Sequence, residues 1–236
     1  MLCVTIDDAG MHPGIASAAV LCAEAGTVDR LSVAGSSDGA AEACRIARDS
    51  GLEVSAHLVA TEEPLLTTRA VSRAAIALGG SATAGRLRAE WSAQIDRLLS
   101  LGARVTGLDS HGHVHHLPAA AGVVIGLASS YGIPLVRSAV LPDPLSRPGG
   151  ALLHILALSF SRRARAAGLS TTDSVAGFGV SGHLTRAYLE RLRLPPGLTE
   201  LVTHPSGTPV WSPGQPGELS LMTSEWFREW TGARRS

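Results

Sequence analysis

Ionisable side chains gather at four points of this chain, each at or just after the end of an apolar run. Leu2–Ile6 leads into Asp7-Asp8, and Leu52–Leu58 carries His57 at its end. Arg104–Ser110 carries Asp109 and leads into His111, and Thr199–His204 ends in His204. Carboxylate oxygen and imidazole nitrogen hold divalent cations, and the same groups move protons near neutral pH. If the four runs are parallel strands, their ends share one face and residues from both ends of the chain converge. Two Asp and three His would then form a ligand-and-catalyst set for one divalent cation. Each point alone has a plainer reading. A lone His at a strand end is usually a hydrogen-bonded structural residue, and Asp-Asp before a helix can be an N-cap. Four such coincidences on one face are harder to dismiss.

The stretch HGHVHH at 111–116 holds four of the nine histidines. If 109–115 is extended, Asp109, His111, His113 and His115 lie on one side. At about 3.3 Å per residue, His111 and His115 are then roughly 13 Å apart. One segment therefore cannot supply a three-histidine chelate. Gly112 marks a break, and His111, nearest the strand body, is the expected ligand. The other histidines line the pocket or orient their neighbours.

The elements that must position these groups alternate along the chain. Strands are expected at Leu2–Ile6, Leu31–Ala34, Leu52–Leu58, Arg104–Ser110, Leu135–Arg137 and Thr199–His204. Helices are expected at Pro13–Ala25, Asp38–Ser50, Thr83–Leu101, Ala119–Tyr131, Ala151–Ala167, Leu184–Leu192 and Glu225–Thr231. Leu87, Trp91, Ile95 and Leu98 make an apolar helical stripe. Gly132 and Gly168 read as helix stops. Such alternation implies an α/β fold with parallel strands, and about seven strand–helix units suit a barrel better than an open sheet. Val59–Thr68 and Pro205–Gly217 read as loops, each following a His-bearing strand, where a barrel carries its active-site loops.

Composition is compatible with one domain over 1–236: 236 residues, 45% hydrophobic and 17% charged. A formal net charge of zero gives no sign of a nucleic acid or an anionic membrane as partner. All 20 basic residues are Arg, and Lys and Asn do not occur, which reads as coding bias. Cys3, Cys22 and Cys44 are odd in number and widely spaced, against a disulfide scaffold or a thiolate zinc site. No signal peptide and no apolar stretch of membrane-spanning length is visible, so a cytoplasmic location is expected.

IDDAG at the start, SAHL after the third strand, LDSHGHVHH in the middle and VTHPSG near the end together resemble the YdjC-like carbohydrate deacetylases, a family that includes chitooligosaccharide deacetylase and HpnK-type proteins. The family pattern is roughly DDFG, GxHL, DSHxHxH and HPG. It is met in order from position 7 to about 207, with DSHxHxH the most specific part; DSVAGFG at 173–179 resembles a less fixed segment. The resemblance implies a distorted TIM-type barrel, one divalent metal ion, zinc or magnesium, on Asp8, His57 and His111, and an acetylated amino sugar as substrate. It further implies Asp7 as general base and His204 as general acid. Asp109 would fix the tautomer of a histidine. His113 and His115 would contact substrate or serve structure. Three departures occur: Ala9 for the aromatic, Ser55 for the Gly of GxHL, and His204-Pro205-Ser206-Gly207 for HPG. They remove no expected ligand but bear on pocket walls and loop shape, and hence on the substrate.

A metal phosphoesterase or another barrel hydrolase is the rival enzyme, and a sugar-binding protein without turnover the rival of another class. Trp211 is a candidate for stacking on a sugar face. Arg137 either hydrogen-bonds substrate or forms an ion pair. Trp91 and His154 read as structural, while His12, His116 and His183 are left open, as are metal identity and a homo-oligomeric state.

Overall fold

The computed structural model describes residues 1–145 and 148–235. The apolar runs and the Ala/Leu/Arg-rich segments alternate as strands and helices. In chain order they are β1 (Leu2–Ala9), α1 (Pro13–Glu24), β2 (Arg30–Val33), α2 (Ala40–Ser50), β3 (Glu53–Leu58), α3 (Arg73–Leu78), α4 (Ser81–Ser100) and β4 (Val105–Ser110). There follow α5 (Pro118–Tyr131), β5 (Leu135–Val136), α6 (Gly150–Ala166), β6 (Ser170–Thr171), β7 (Ser174–Ala176), α7 (Arg186–Arg191), β8 (Thr199–Thr203), α8 (Gln215–Met222) and α9 (Glu225–Arg235). No helix among the described residues is long and apolar enough to cross a membrane.

Every strand pairing is parallel, in the order β6-β5-β4-β3-β2-β1-β8-β7. The two edge strands, β6 and β7, are separated in the chain only by Thr172 and Asp173. Three peptide steps span at most about 11 Å, so the sheet must curl until its edges nearly meet. The result is the expected distorted TIM-type barrel, with eight strands among the described residues where about seven strand–helix units were expected.

Alternation along the strands sorts the side chains. Val4 and Ile6, Leu31 and Val33, Val54, Ala56 and Leu58, Leu108 and Leu201 lie in the apolar core cluster with residues of the surrounding helices. The alternate positions carry Thr5, Asp7, Arg30, Ser32, Ser55, His57, Asp109 and Glu200, all buried. Barrel interiors are usually filled by branched apolar residues; this one is filled by charge and hydroxyl.

Two features differ from the sequence expectation. α3 and the pair β6/β7 are additional elements, and α8 begins inside the stretch expected to be loop. As expected, the strand ends at Ser110 and Gly112 marks a break: HGHVHH is a 3₁₀ segment with Gly112 and His113 left-handed (φ 60° and 56°).

The stripe expected on α4 is buried, and its neighbours Glu90 and Gln94 are buried with it. Gln94 accepts from the Val59 N–H (2.9 Å) and donates to the Val59 carbonyl (2.7 Å). Glu90 accepts from the N–H groups of Leu66 (2.9 Å) and Thr67 (2.6 Å). Helix α4 thus fastens the loop after β3, which carries Glu62. Replacing Glu90 with Ala removes a charged acceptor from these amides and is expected to cost about 1–3 kcal/mol. Urea denaturation reads the loss, and hydrogen exchange should accelerate at Leu66 and Thr67; unchanged exchange there would contradict the fastening.

Candidate active site

Asp7 and Asp8 are neighbours in β1, and neighbours in a regular strand point to opposite faces. Here the register slips between Ile6 and Ala9, and Asp8 has φ 58°. This irregularity re-aims the chain, so that both carboxylates line one cavity. A non-glycine residue in the left-handed region is strained, and such strain gathers at functional sites. His57 pairs in register with Asp109 across β3 and β4, which sets their side chains side by side.

Asp8 Oδ1 lies 3.1 Å from His57 Nε2 and 3.0 Å from His111 Nδ1, and the two ring nitrogens are 3.4 Å apart. Zinc binds such oxygen and nitrogen ligands at about 2.0–2.2 Å. Three atoms at these spacings can all lie at that distance from one point. The donor chemistry and spacing of the three residues therefore fit one divalent cation.

Each imidazole is oriented from behind by a carboxylate. His57 Nδ1 donates to Asp109 Oδ1 (2.5 Å), and His111 Nε2 lies 3.2 Å from Glu62 Oε1. Such outer contacts fix the ring so that its inner nitrogen faces the site. They also hold protons. Burial opposes a charge on His57, but Asp109, Asp8 and Asp7 outweigh it and push its pKa up to about 10. Burial likewise opposes a charge on His111, and the Asp8 contact outweighs it and pushes the pKa up. Asp8 ionises readily: burial works against it, but the contacts from His111 and His57 hold it well below the usual carboxylate range.

A second triad, Asp7, His57 and Asp109, also brings three donors together. Its oxygens are already engaged. Arg137 donates to both oxygens of Asp7 (2.7 and 2.8 Å) and to both of Glu200 (2.9 and 2.8 Å), and lies 3.4 Å from Asp109. Ser55 Oγ donates to Asp109 (2.5 Å), and Ser32 Oγ lies 2.7 and 2.8 Å from its two oxygens. A guanidinium amid this triad disfavours a second cation. Arg137 itself is buried and stands behind the cavity, so of the two expectations for it the ion pair is the one realised. Burial pushes the Asp7 carboxyl above its usual range, against the pull of Arg137.

The cavity measures about 490 Å³ and is walled by His113, Phe178, Ser181, His204 and Trp211 besides the acidic and imidazole groups. His204 Nε2 is 3.9 Å from Asp8 Oδ2, and its Nδ1 is 3.1 Å from Ser181 Oγ. The Trp211 ring meets His204 edge-on at 5.2 Å. One side chain fixes this wall: Gln215 accepts from the N–H groups of Val210, Trp211 and Ser212 and donates to the His204 carbonyl.

The remaining histidines fall outside the cavity. His115 is fully buried, with Nδ1 on Ser110 Oγ (2.7 Å) and Nε2 on the Arg137 carbonyl (2.8 Å), so it packs behind the site and does not reach the cavity. His116 accepts from Ala139 N–H (3.0 Å), His154 from Leu141 N–H (3.1 Å), and His12 caps α1 through Gly14 N–H (3.1 Å). His183 contacts Ser212 (3.0 Å). Ser55 lies in the buried network behind the site, so that departure alters no pocket wall. Sequence reasoning missed Ser32, Glu62, Ser181 and Glu200. Glu200 had a readable signal, a carboxylate inside the apolar run TELVT; Glu62 had only its place in the loop Val59–Thr68.

A family model described as YdjC-like protein matches residues 1–233. A protein from Enterococcus faecalis V583, provisionally described as a cellobiose-phosphate cleavage protein, has a crystal structure that aligns with a TM-score of 0.72 at 20% identity, covering 99% of this chain and 94% of that one. An uncharacterised protein from Agrobacterium tumefaciens C58 aligns with a TM-score of 0.56 at 17% identity, covering 99% of this chain and 84% of that one.

The buried network makes its own prediction. Arg137→Met leaves Asp7, Asp109 and Glu200 as clustered buried carboxylates with their main counter-charge removed. The expected loss is about 3–5 kcal/mol, read as a lowered urea midpoint. A variant as stable as the parent would show that Arg137 does not hold the interior together.

Proposed function

The chain belongs to the YdjC-like family, and from that premise we propose that it is a metal-dependent hydrolase removing an N-acetyl group from an amino sugar or glycoside. The observation that carries this reading is the pair of imidazoles, each braced by a carboxylate and aimed at Asp8. Asp8, His57 and His111 are the proposed ligands. A zinc or magnesium ion bound there supplies polarisation of the amide carbonyl and acidification of water, the two things an unreactive amide needs. The saturated second triad supports one cation per chain, in contrast to the two-metal sites common among phosphoesterases.

Asp7 is the proposed general base. It lines the cavity, and its raised proton affinity suits a group that must accept a proton. Arg137 holds both its oxygens in place while each retains a further lone pair. His204 is the proposed acid for the leaving amine; Ser181 on Nδ1 orients the ring so that Nε2 faces the Asp8 side. Asp109 holds His57 in place. Trp211, 49% exposed on the cavity wall, offers a face to the sugar ring. His113 also lines the cavity and contacts the acyl group or a substrate hydroxyl.

The test is acetate release from N-acetylglucosaminides by metal-reconstituted protein. Asp8→Ala and His111→Ala are expected to lose both the cation and turnover; normal turnover in either folded variant removes the cation from the reading. Asp7→Asn should keep about one cation per chain and lose turnover by about 10²–10⁴-fold, and unchanged turnover would remove Asp7 as base. Uptake must also displace protons, because His57 holds one up to about pH 10. Affinity should therefore fall as pH falls, and calorimetry in buffers of different ionisation enthalpy should show net proton release. Heats independent of buffer would contradict the assignment of His57.

A further inference from the structure

Helix α6 is apolar on both of its sides. The buried side carries Ala157, Phe160, Ser161 and Ala164. The opposite side, at the spacing i, i+3, i+7, i+10 and i+11, carries Leu152, Ile155, Ser159, Arg162 and Arg163, all exposed. Leu152 and Ile155 are 61% and 63% exposed, and Leu158 beside them is exposed too. Leu78, at the end of α3, is 88% exposed. It stands on the same face: Ala77 before it shares a groove with Leu152 and Leu156, and Gly79 after it lines a shallow cavity with Arg88 and Arg163. Single exposed leucines are ordinary, but a group of four large apolar side chains marks a contact surface.

The charge on this face has one sign. Arg73, Arg88, Arg162 and Arg163 make no hydrogen bond or ion pair among the described residues. Neither α3 nor α6 carries a carboxylate, and none lines the groove or the shallow cavity among the described residues. The formal net charge of zero hides this imbalance, in part because Asp7, Asp8, Asp109 and Glu200 are buried inside the barrel.

We propose that the face formed by α6 and the end of α3 docks the protein on an anionic phospholipid surface. A helix of 17 residues, about 25 Å long, can lie along a bilayer with Leu152, Ile155 and Leu158 at the acyl boundary. Its arginines, with Arg88 across the shallow cavity, then meet lipid phosphates while their stems stay among the apolar groups. A second copy of the chain suits the face less well. A two-fold contact there would bring Arg against Arg with no carboxylate to pair them. The inference is independent of the hydrolase reading, because docking is read without turnover.

The test is sedimentation with vesicles of phosphatidylcholine mixed with phosphatidylglycerol, and with vesicles of phosphatidylcholine alone. Binding to the anionic vesicles should be at least about tenfold tighter and should weaken as salt is raised. Ile155→Asp should weaken it by about tenfold or more. Arg162→Gln and Arg163→Gln should each weaken it by about fivefold. All three positions are exposed, so folding is spared, and circular dichroism checks it. Leu99→Asp, an exposed change at the far end of α4, should bind as the parent does. Equal binding to both vesicles, no binding to either, or anionic binding untouched by Ile155→Asp would overturn the proposal. A concentration-dependent dimer that Ile155→Asp dissociates, with no vesicle binding, would give the face to a second copy and overturn it as well.

Discussion

One guanidinium organises the interior of this barrel. Arg137, just past β5, reaches Asp7 on β1, Glu200 on β8 and Asp109 on β4. Three strands stand between β5 and β1 in the sheet order, so the contact exists only because the sheet curls round on itself. Arg30 adds a second positive charge 3.6 Å from Glu200, and Thr5 donates to the same carboxylate. A buried charge cluster of this kind is a poor source of net stability compared with an apolar core. What it supplies is position: the planar fork of Arg fixes two carboxylates at once, and one of them is Asp7.

Position is then passed outward. Asp109 is held from one side by Ser32 and Ser55 and from the other by its proximity to Arg137, and it in turn holds His57. Asp8 needs no such chain, because the slip in β1 and its left-handed backbone turn it toward the imidazoles directly. The two adjacent aspartates thus have different surroundings. Asp7 is buried and clamped, with its proton affinity raised; Asp8 faces two imidazoles and has its proton affinity lowered. Divergent environments of this sort allow one dipeptide to provide two chemical roles.

Much of this was legible in the sequence because strands of a parallel barrel end where the chemistry is. Each apolar run closing on Asp or His marked both an element and a position in the candidate site. The barrel was legible from alternation, but β6 and β7, two and three residues long, are too short for any periodicity to register. Helix α8 was hidden behind Pro216, which reads as a loop signal yet sits in its first turn, where a missing N–H does no harm. Gly112 marked the break in HGHVHH, but the positive φ of His113 beside it, which sequence assigns to Gly and not to His, was not legible. Glu62 lay in a polar loop, and only the fold of that loop, fastened by Glu90, brings it to His111.

The departures from the family pattern divide along the same line. Ser55 stands where the pattern has Gly, yet its hydroxyl joins the grip on Asp109, and the register places it opposite Gly107, where a Cβ would come within 3.1 Å of that hydroxyl. Small residues are therefore required on one strand if Ser occupies the other. Ala9, in place of an aromatic, is buried in the core and its carbonyl accepts from Ala34 N–H. Ser206, inserted into HPG, is buried below the loop that Gln215 fastens. Ala9, Ser55 and Ser206 thus lie behind or beneath the cavity, and none of them lines it. The departures therefore fall in the framework, and the cavity itself is walled by Trp211 and His204 on one side and by His113 and Phe178 on another.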